Sequence, residues 1–405
     1  MPRLPAVAVY LVLVVAGSFL FSLYSTLSAL YRIREAGLDP LELVLVGTAL
    51  ELSVFLFEIP TGVVADVYSR RLSIGIGYLG IGCGFLIESL NPSFGAILLG
   101  QVVWGLGYTF TSGATQAWLV DEVGQAGVGR VFLRGSQAAQ AGALLGIGVA
   151  VLLGQGALYL PLMSAGLGYL LLALFLAFAM PERGFQPRPR DERETWGRFA
   201  GTLIEGTGVI RSQPRLTWLL VIALLFGLSS EPIDRLWELQ LLENFSFPTW
   251  LGATAVIWFG AIRAVSLVAG IGAVTAVRRR LKIDDPRIAG RALIWLSSAL
   301  VVAVAAFALA GSFAVAIACF VSLSVLRTAS GPILATWINQ QIPSSVRATV
   351  LSIHTQSDSL GQVAGGPALG TLGRTFGTRA ALLASSLLLS PIPPLYLKAA
   401  RGGRS

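Results

Sequence analysis

The sequence predicts an all-α integral membrane protein whose twelve transmembrane helices form two pseudo-symmetric six-helix bundles. The first observation is composition: of the 405 residues, 55% are hydrophobic and 12% are charged, whereas an ordinary soluble domain has about 25% charged residues. The second is the number of apolar runs, because each crossing of a bilayer needs about 20 apolar residues and the chain contains twelve such runs. The third is the longest polar stretch, which separates six runs from six.

Short loops separate the twelve runs, and the mean hydropathy of the whole chain is +0.74. In chain order, the runs lie at Ala6–Tyr31, Leu41–Val64, Leu72–Leu90, Phe94–Leu119, Val131–Gly154, Leu158–Met180, Leu216–Leu239, Trp250–Val277, Ile288–Leu309, Phe313–Ile338, Ala348–Leu372 and Thr378–Leu397.

The polar stretch defines three predicted parts: an N-terminal six-helix bundle (1–180), a cytoplasmic linker (181–214) and a C-terminal six-helix bundle (215–405). Within the linker, the segment from Trp196 to Ile210 carries apolar residues among charged ones. This pattern favours a helix lying on the membrane surface. An ordinary solvated connector fits it equally well.

The basic residues indicate how the chain is oriented. The net charge of +8 comes from arginines in short loops between apolar runs, where positive charge marks the cytoplasmic side. With both termini in the cytoplasm, the outer loops contain only Arg32, Arg34, Arg374 and Arg379, and most of the 29 basic residues face inward. We therefore expect a multi-pass protein of the cell membrane with cytoplasmic termini, and no nucleic-acid binding.

The loop between the second and third runs carries a motif, within the stretch FEIPTGVVADVYSRR that ends at Arg71. Gly62 has no side chain, so two helices can approach closely there. Asp66 falls at the C-terminal end of its predicted helix, where the helix dipole disfavours an anion, so it needs a cation nearby. Arg70, Arg71 and Arg130 are the candidate partners.

This stretch resembles the loop signature of the major facilitator superfamily, G-x-L-A-D-R-x-G-R-K. The matching residues are Gly62, Ala65, Asp66, Arg70 and Arg71, while Val67 and Ser69 replace an arginine and the second glycine. The preceding Glu58, Pro60 and Thr61 resemble the variant of bacterial drug-exporter branches. The resemblance implies two halves that rock about a central cavity, with this loop latching one state.

A second set of charges is expected to join this gating loop. Asp121 and Glu122 end the fourth run, and Arg130 and Arg134 follow across a short loop. We interpret them as a gate network, with solvated loop charges as the alternative. Glycines of the eleventh run, which include Gly365 and Gly366 before Pro367, resemble an exporter motif. We favour helix packing as their role.

Ionisable residues inside the apolar runs are the best evidence on function, because a charge at the bilayer centre costs on the order of 3 kcal/mol and usually marks a pathway. The candidates for proton coupling are Asp234, Asp358, Glu231, Glu51, Glu58 and His354. For Glu58 we favour a structural role. His354 either relays protons to Asp358 or is a satisfied interior residue.

Spacing predicts some pairs among these charges. Glu231 and Arg235 lie four residues apart on one helix face and can pair. Asp234 or Glu238 is then left without an obvious neutraliser, unless this end of the helix reaches water. Arg327 and Asp358 can pair between neighbouring helices, either as a switch that protonation releases or as a permanent bridge.

Polar and aromatic side chains of the fourth run form a stripe that suits an amphiphilic ligand, although helix contact explains it equally well. The candidates that line a substrate cavity are Gln101, Trp104, Tyr108, Ser112, Arg235, Arg263 and Arg327.

With these residues, the resemblance to the major facilitator superfamily implies a secondary active transporter that exports an amphiphilic drug or metabolite in exchange for protons. The interior arginines favour a second function, uptake or facilitated diffusion of a small anionic solute, and a membrane sensor is a third. We expect no enzyme activity, no metal and no cofactor, since His354 is the single histidine and no phosphate-binding G-x-x-x-x-G-K-[ST] loop exists. We expect a monomer whose partners are a small-molecule substrate, protons and the lipid bilayer.

Overall fold

The computed structural model describes residues 4–187, 214–249, 252–342 and 347–401. These residues form sixteen α-helices and, within the described ranges, no strand. The predicted surface helix from Trp196 to Ile210 lies outside the described residues.

The first eight helices belong to the N-terminal part of the chain. They are α1 (Ala6–Ser25), α2 (Ser28–Arg34), α3 (Pro40–Val67), α4 (Arg70–Leu90), α5 (Phe94–Thr111), α6 (Ala114–Val123), α7 (Gln125–Gly154) and α8 (Tyr159–Ala179).

The other eight follow the linker. They are α9 (Pro214–Arg235), α10 (Trp237–Asn244), α11 (Ala255–Arg280), α12 (Pro286–Ala308), α13 (Phe313–Gln341), α14 (Arg347–Phe376), α15 (Thr378–Leu389) and α16 (Ile392–Arg401).

The chain divides into two compact units. The first comprises residues 1–38 and 49–198, and the second comprises 39–48 and 199–405, as far as each is described. The first turns of α3 therefore belong with the second unit, where the Asp39 carboxylate forms an ion pair with Arg374 at 3.2 Å. The sequence boundaries at 180 and 215 remain a prediction about how the chain is divided in function.

Eleven helical segments of the described residues are long and apolar enough to cross a membrane. The twelfth predicted run, Ala348–Leu372, lies on α14, which is 30 residues long. It does not reach the same hydropathy, because His354 and Asp358 stand among serine, threonine and glutamine residues. The all-helical membrane fold is confirmed, whereas the count of twelve crossings remains a prediction.

Serine and aspartate side chains define several helix starts. Ser69, Ser93 and Ser312 precede α4, α5 and α13, and each hydroxyl accepts a hydrogen bond from a backbone N–H of the first turn. Asp285 does the same before α12. These side chains satisfy donors that a helix start leaves without partners.

Within the described residues, four crossings are broken into two helices each. The first crossing bends between α1 and α2, and the seventh bends between α9 and α10. The fourth bends between α5 and α6 at Gly113, whose φ of 69° lies in the left-handed region, which glycine adopts without strain. The twelfth bends between α15 and α16. The first predicted run of each half is thus broken near its C-terminal end.

Glycines let helices touch backbone to backbone inside each unit. In the first unit, a Cβ at Gly77 or Gly107 would overlap the facing helix, so α4 and α5 are in close contact there. In the second unit, Gly227 of α9 faces Gly361 and Gly365 of α14 in the same way. The expectation for Gly62 is wrong in this structure: a Cβ there would meet no atom within 4 Å.

Candidate functional site

The second unit contains three interior arginines, and each forms an ion pair with a carboxylate of α9 or α10. Arg235 Nε lies 3.4 Å from Glu231 Oε2, as its spacing of four residues predicted. Arg263 Nη2 lies 3.0 Å from Glu238 Oε1. The guanidinium of Arg327 binds Asp234 through both nitrogens, with Nη2 3.0 Å from Oδ2.

These pairs correct two expectations. Neither Asp234 nor Glu238 lacks a neutralising cation, because arginines of α13 and α11 reach them. Arg327 pairs with Asp234 and not with Asp358. The sequence could not distinguish two carboxylates on different helices, whereas the planar guanidinium fork fits the one that it can bind with two parallel hydrogen bonds.

The three pairs differ in exposure. The side chains of Glu231 and Glu238 are 2% exposed, so these carboxylates are buried parts of the helix packing. Arg263 also lies over the ring of Trp237 at 5.4 Å. The side chains of Asp234 and Arg327 are 42% and 30% exposed, and this pair is therefore accessible to a small molecule.

Asp358 has a different environment. Its Oδ2 accepts a hydrogen bond from the side-chain amide of Gln362 at 2.9 Å. Among the described residues no arginine or lysine lies within ion-pair distance of it. Its charge nevertheless acts on Arg327 and on Asp234. Asp358 is thus a half-buried carboxyl next to an ion pair of which it is not a member.

His354 lies one helical turn before Asp358 on α14. Its Nε2 is buried and, within the described part of the chain, has no hydrogen-bond partner. His354 was expected to have all its hydrogen-bonding groups paired if its role is structural, and Nε2 does not meet that expectation.

In the first unit, Glu51 and Glu58 are half-buried on α3 and both have polar interactions. Their charges act on the hydroxyl of Tyr108, which is 48% exposed on α5. Ser112 ends α5 at the helix break, and its backbone N–H donates to the carbonyl of Tyr108 at 3.0 Å. Glu51 and Glu58 thus lie close enough to Tyr108 to act on it electrostatically, and Ser112 follows one helical turn later.

Two other candidates of the fourth run are involved in packing. Trp104 contacts the rings of Phe21, Tyr24 and Phe85 at centroid distances between 5.3 and 6.1 Å. Gln101 is fully buried, and its amide donates to Tyr24 and to Glu88 at 3.0 and 2.8 Å. Gln101 therefore belongs to a buried polar network.

Arg32 and Glu88 form the centre of that network, which sequence reasoning missed. Arg32 was expected in an outer loop, but it is 3% exposed and its Nε lies 2.8 Å from Glu88 Oε1. Tyr24 donates to the same carboxylate at 2.7 Å. The only sign of this network in the sequence was Glu88, which lies two residues before the end of the third apolar run.

The gating loop is organised around Arg70. As predicted, Asp66 at the end of α3 pairs with Arg70. Asp121 at the end of α6 lies 3.6 Å from Arg70 Nε and joins the same cluster. Arg130 and Arg134 are exposed on α7, and neither forms an ion pair with a described residue. The expected pairing of Asp121 and Glu122 with these two arginines is wrong. Asp121 lies next to Arg70 instead, and the Glu122 carboxylate accepts hydrogen bonds from backbone N–H groups.

Comparison with known proteins agrees with this geometry. The family model of the Major Facilitator Superfamily matches residues 9–366. The chain is 21% identical over 374 residues to an uncharacterized MFS-type transporter, YxaM, of Bacillus subtilis (strain 168), with 91% of this chain and 90% of that protein covered.

Solved structures show the same fold. The nucleoside transporter NupG superposes with a TM-score of 0.79 at 13% identity, covering 98% of this chain and all of the other. A bacterial homologue of the human lysosomal transporter Spinster gives 0.74 at 15% identity, with 98% and 96% covered. The extent of the family match, together with the apolar helices and the gating loop, shows that this chain belongs to the Major Facilitator Superfamily and is a multi-pass membrane transporter of that type.

Proposed function

We propose that this transporter is a secondary active exporter that moves an amphiphilic drug or metabolite by alternating access, in exchange for protons. The observation that carries the proposal is that Asp358 differs in its partner from the other interior carboxylates of the second unit. Glu231, Asp234 and Glu238 each have an arginine, and Asp358 has an amide partner instead. Asp358 can therefore take up a proton without breaking an ion pair.

A proton on Asp358 would act on the neighbouring pair. When Asp358 is ionised, it competes with Asp234 for the positive charge of Arg327, since an opposite charge nearby stabilises the ionised form of a carboxyl. When Asp358 is protonated, Asp234 is the one member of these two carboxylates whose negative charge attracts Arg327. The strength of the accessible Asp234–Arg327 pair then depends on the proton. In this proposal Asp358 is the proton site, and Glu51, Glu58, Glu231 and His354 are further candidates.

The charges also favour a cation over an anion as substrate. The three arginines that suggested an anionic solute are all neutralised, and Asp358 is a fourth interior carboxylate beside the three that these arginines pair with. Tyr108 with Glu51 and Glu58 offers a ring and negative charge in the first unit, which suits an amphiphilic cation. We propose the cell membrane as the location, cytoplasmic termini, a monomer, and 1–180 and 215–405 as the two moving halves.

The proposal is tested in proteoliposomes with an imposed pH gradient and ethidium as the transported probe. We expect wild-type protein to move ethidium against its gradient while the pH gradient lasts. The Asp358→Asn variant should lose this accumulation because asparagine cannot carry the proton. The control is Asp284→Asn, whose side chain is exposed in the loop before α12 and should behave as wild type.

Two results would refute proton antiport. One is ethidium movement that ignores the pH gradient. The other is full accumulation in a variant that carries both Asp234→Asn and Asp358→Asn.

The alternative function, uptake or facilitated diffusion of a small anionic solute, rests on the accessibility of Arg327. An anion would have to displace Asp234 from its two hydrogen bonds. A radiolabelled organic anion in the same vesicles separates the two functions: saturable entry that requires Arg327 and no pH gradient would favour the alternative.

A further inference from the structure

The residues that follow α8 lie against the first unit before the linker continues. The indole N–H of Trp118 donates to the carbonyl of Pro181 at 2.7 Å. The Glu122 carboxylate accepts hydrogen bonds from the backbone N–H groups of Arg183 and Gly184, the latter at 2.7 Å. A Cβ at Gly184 would overlap the carbonyl of Asp121. These contacts hold residues 181–184 against the end of α6.

Glu182, inside this segment, binds the start of α4. Its Oε1 accepts the backbone N–H of Arg71 at 2.9 Å, and its Oε2 accepts the hydroxyl of Ser69 at 2.7 Å. Arg71 is in the first turn, whose N–H groups have no acceptor within the helix, and this turn contains no acidic residue of its own. Glu182 therefore supplies the negative charge that a helix N-terminus favours.

At position 69 this chain has serine where the family signature has glycine, and the contacts of the Ser69 side chain explain the difference. The φ of Ser69 is −174°, an extended conformation that any residue adopts. Its hydroxyl accepts the N–H of Leu72 at 3.0 Å and donates to Glu182. A glycine would fit the backbone but would lose both hydrogen bonds. The replacement thus matches the presence of Glu182, 113 residues later in the chain.

We propose that Ser69, Arg71 and Glu182 form a latch, the Glu182 latch, which fastens the start of the linker to the gating loop so that both are displaced together during transport. Ser69 and Glu182 are positioning residues that act through the loop. The inference rests on the gating role of this loop in the proposed function. Hydrogen bonds to a carboxylate are stronger than those between neutral groups, which suits a contact that must persist while the loop moves.

Residue-resolved hydrogen exchange of the full-length protein tests the latch without any substrate. In Glu182→Ala, the amide of Arg71 should exchange about tenfold faster or more, because one charge-assisted hydrogen bond is lost. Ser69→Gly should accelerate the same amide, and the double variant should exchange no faster than Glu182→Ala. The control Gln186→Ala changes an exposed side chain just after this segment and should leave Arg71 unchanged. An unchanged Arg71 amide in Glu182→Ala, or independent additive effects, would overturn the proposal.

A transport measurement separates positioning from simple stability. With ethidium and a pH gradient, Glu182→Ala and Ser69→Gly should lower the maximal rate about tenfold with an unchanged KM. Ser69→Thr keeps the hydroxyl and should restore the rate. Wild-type rates in Glu182→Ala, or a change confined to KM, would contradict the latch. If wild-type protein fails to move ethidium, the proposed function fails, and hydrogen exchange still decides the latch.

Discussion

At the scale of single residues, the charges inside the helices fall into two groups. Arg32, Glu231 and Glu238 have side chains that are at most 4% exposed, and each is held in an ion pair. Asp234 and Arg327 are paired but accessible, and Asp358 has an amide partner. Because a buried charge is tolerated only when it is paired, removing one partner of a pair in the first group should destabilise the fold. The second group is accessible and can respond to a ligand or a proton.

The Arg32–Glu88 pair gives a prediction about stability. Glu88→Gln keeps the shape of the side chain but leaves the guanidinium of Arg32 buried without its counter-charge. We expect a loss of about 3–5 kcal/mol in the free energy of unfolding, measured by thermal unfolding in detergent. The double variant Arg32→Met with Glu88→Leu should lose less, since no charge is then stranded.

Glu35→Gln is the matched control for this pair. Glu35 is exposed just after α2, so its replacement should change stability by no more than about 0.5 kcal/mol. Equal melting temperatures for Glu88→Gln and Glu35→Gln would show that the buried pair does not support the fold.

At the scale of helices, glycines let α9 and α14 pack backbone to backbone. Gly227 lies against the backbone of Asp358, and Gly361 and Gly365 lie against Leu224 and Leu228. This seam holds α9 and α14 at a distance that no side chain would permit. It thereby sets the position of Asp358 relative to Asp234, which lies seven residues, or about 10 Å, further along α9 than Gly227. The glycines of the eleventh run therefore serve helix packing, as the sequence favoured.

Adding one methyl group to the seam should disturb it. In Gly365→Ala the new Cβ would overlap the backbone of Leu228, so we expect a loss of about 1–3 kcal/mol and weaker ethidium accumulation. Gly272→Ala adds the same group to α11, where no atom lies within 4 Å. It should be neutral or slightly stabilising, because alanine favours helix over glycine. Equal unfolding temperatures for the two variants would contradict a tight seam.

At the scale of the whole molecule, the sequence predicts an orientation in the membrane that experiment can test. Cys83 and Cys319 are the only two cysteines, so replacing both by serine gives a background for labelling. Tyr68, between α3 and α4, and Phe376, at the end of α14, are 69% and 72% exposed. Single cysteines at these two positions report on opposite ends of crossings.

We expect a membrane-impermeant maleimide to label Phe376→Cys in intact cells and Tyr68→Cys only after the cells are opened. The positive charge around the gating loop is the physical reason, since basic loops stay on the cytoplasmic side. The reverse pattern would place the termini outside, and labelling of both positions in intact cells would contradict the predicted number of crossings between them.

Composition and short sequence patterns were sufficient to predict the membrane fold and the family. Apolar runs long enough to span hydrocarbon admit only helices, and the pattern from Gly62 to Arg71 identified the superfamily. Local spacing also predicted the Glu231–Arg235 and Asp66–Arg70 pairs, because residues four apart on a helix are neighbours whatever surrounds them.

Tertiary structure decided every contact between distant parts of the chain. Which carboxylate Arg327 binds, why Gln101 and Arg32 are buried, and what holds Ser69 all depend on helices that meet far apart in sequence. Periodicity shows which face of a helix a residue occupies but does not reveal which helix that face meets. By itself, the sequence therefore determined the class of molecule and its local pairs, and packing decided which charges stabilise the fold and which remain accessible.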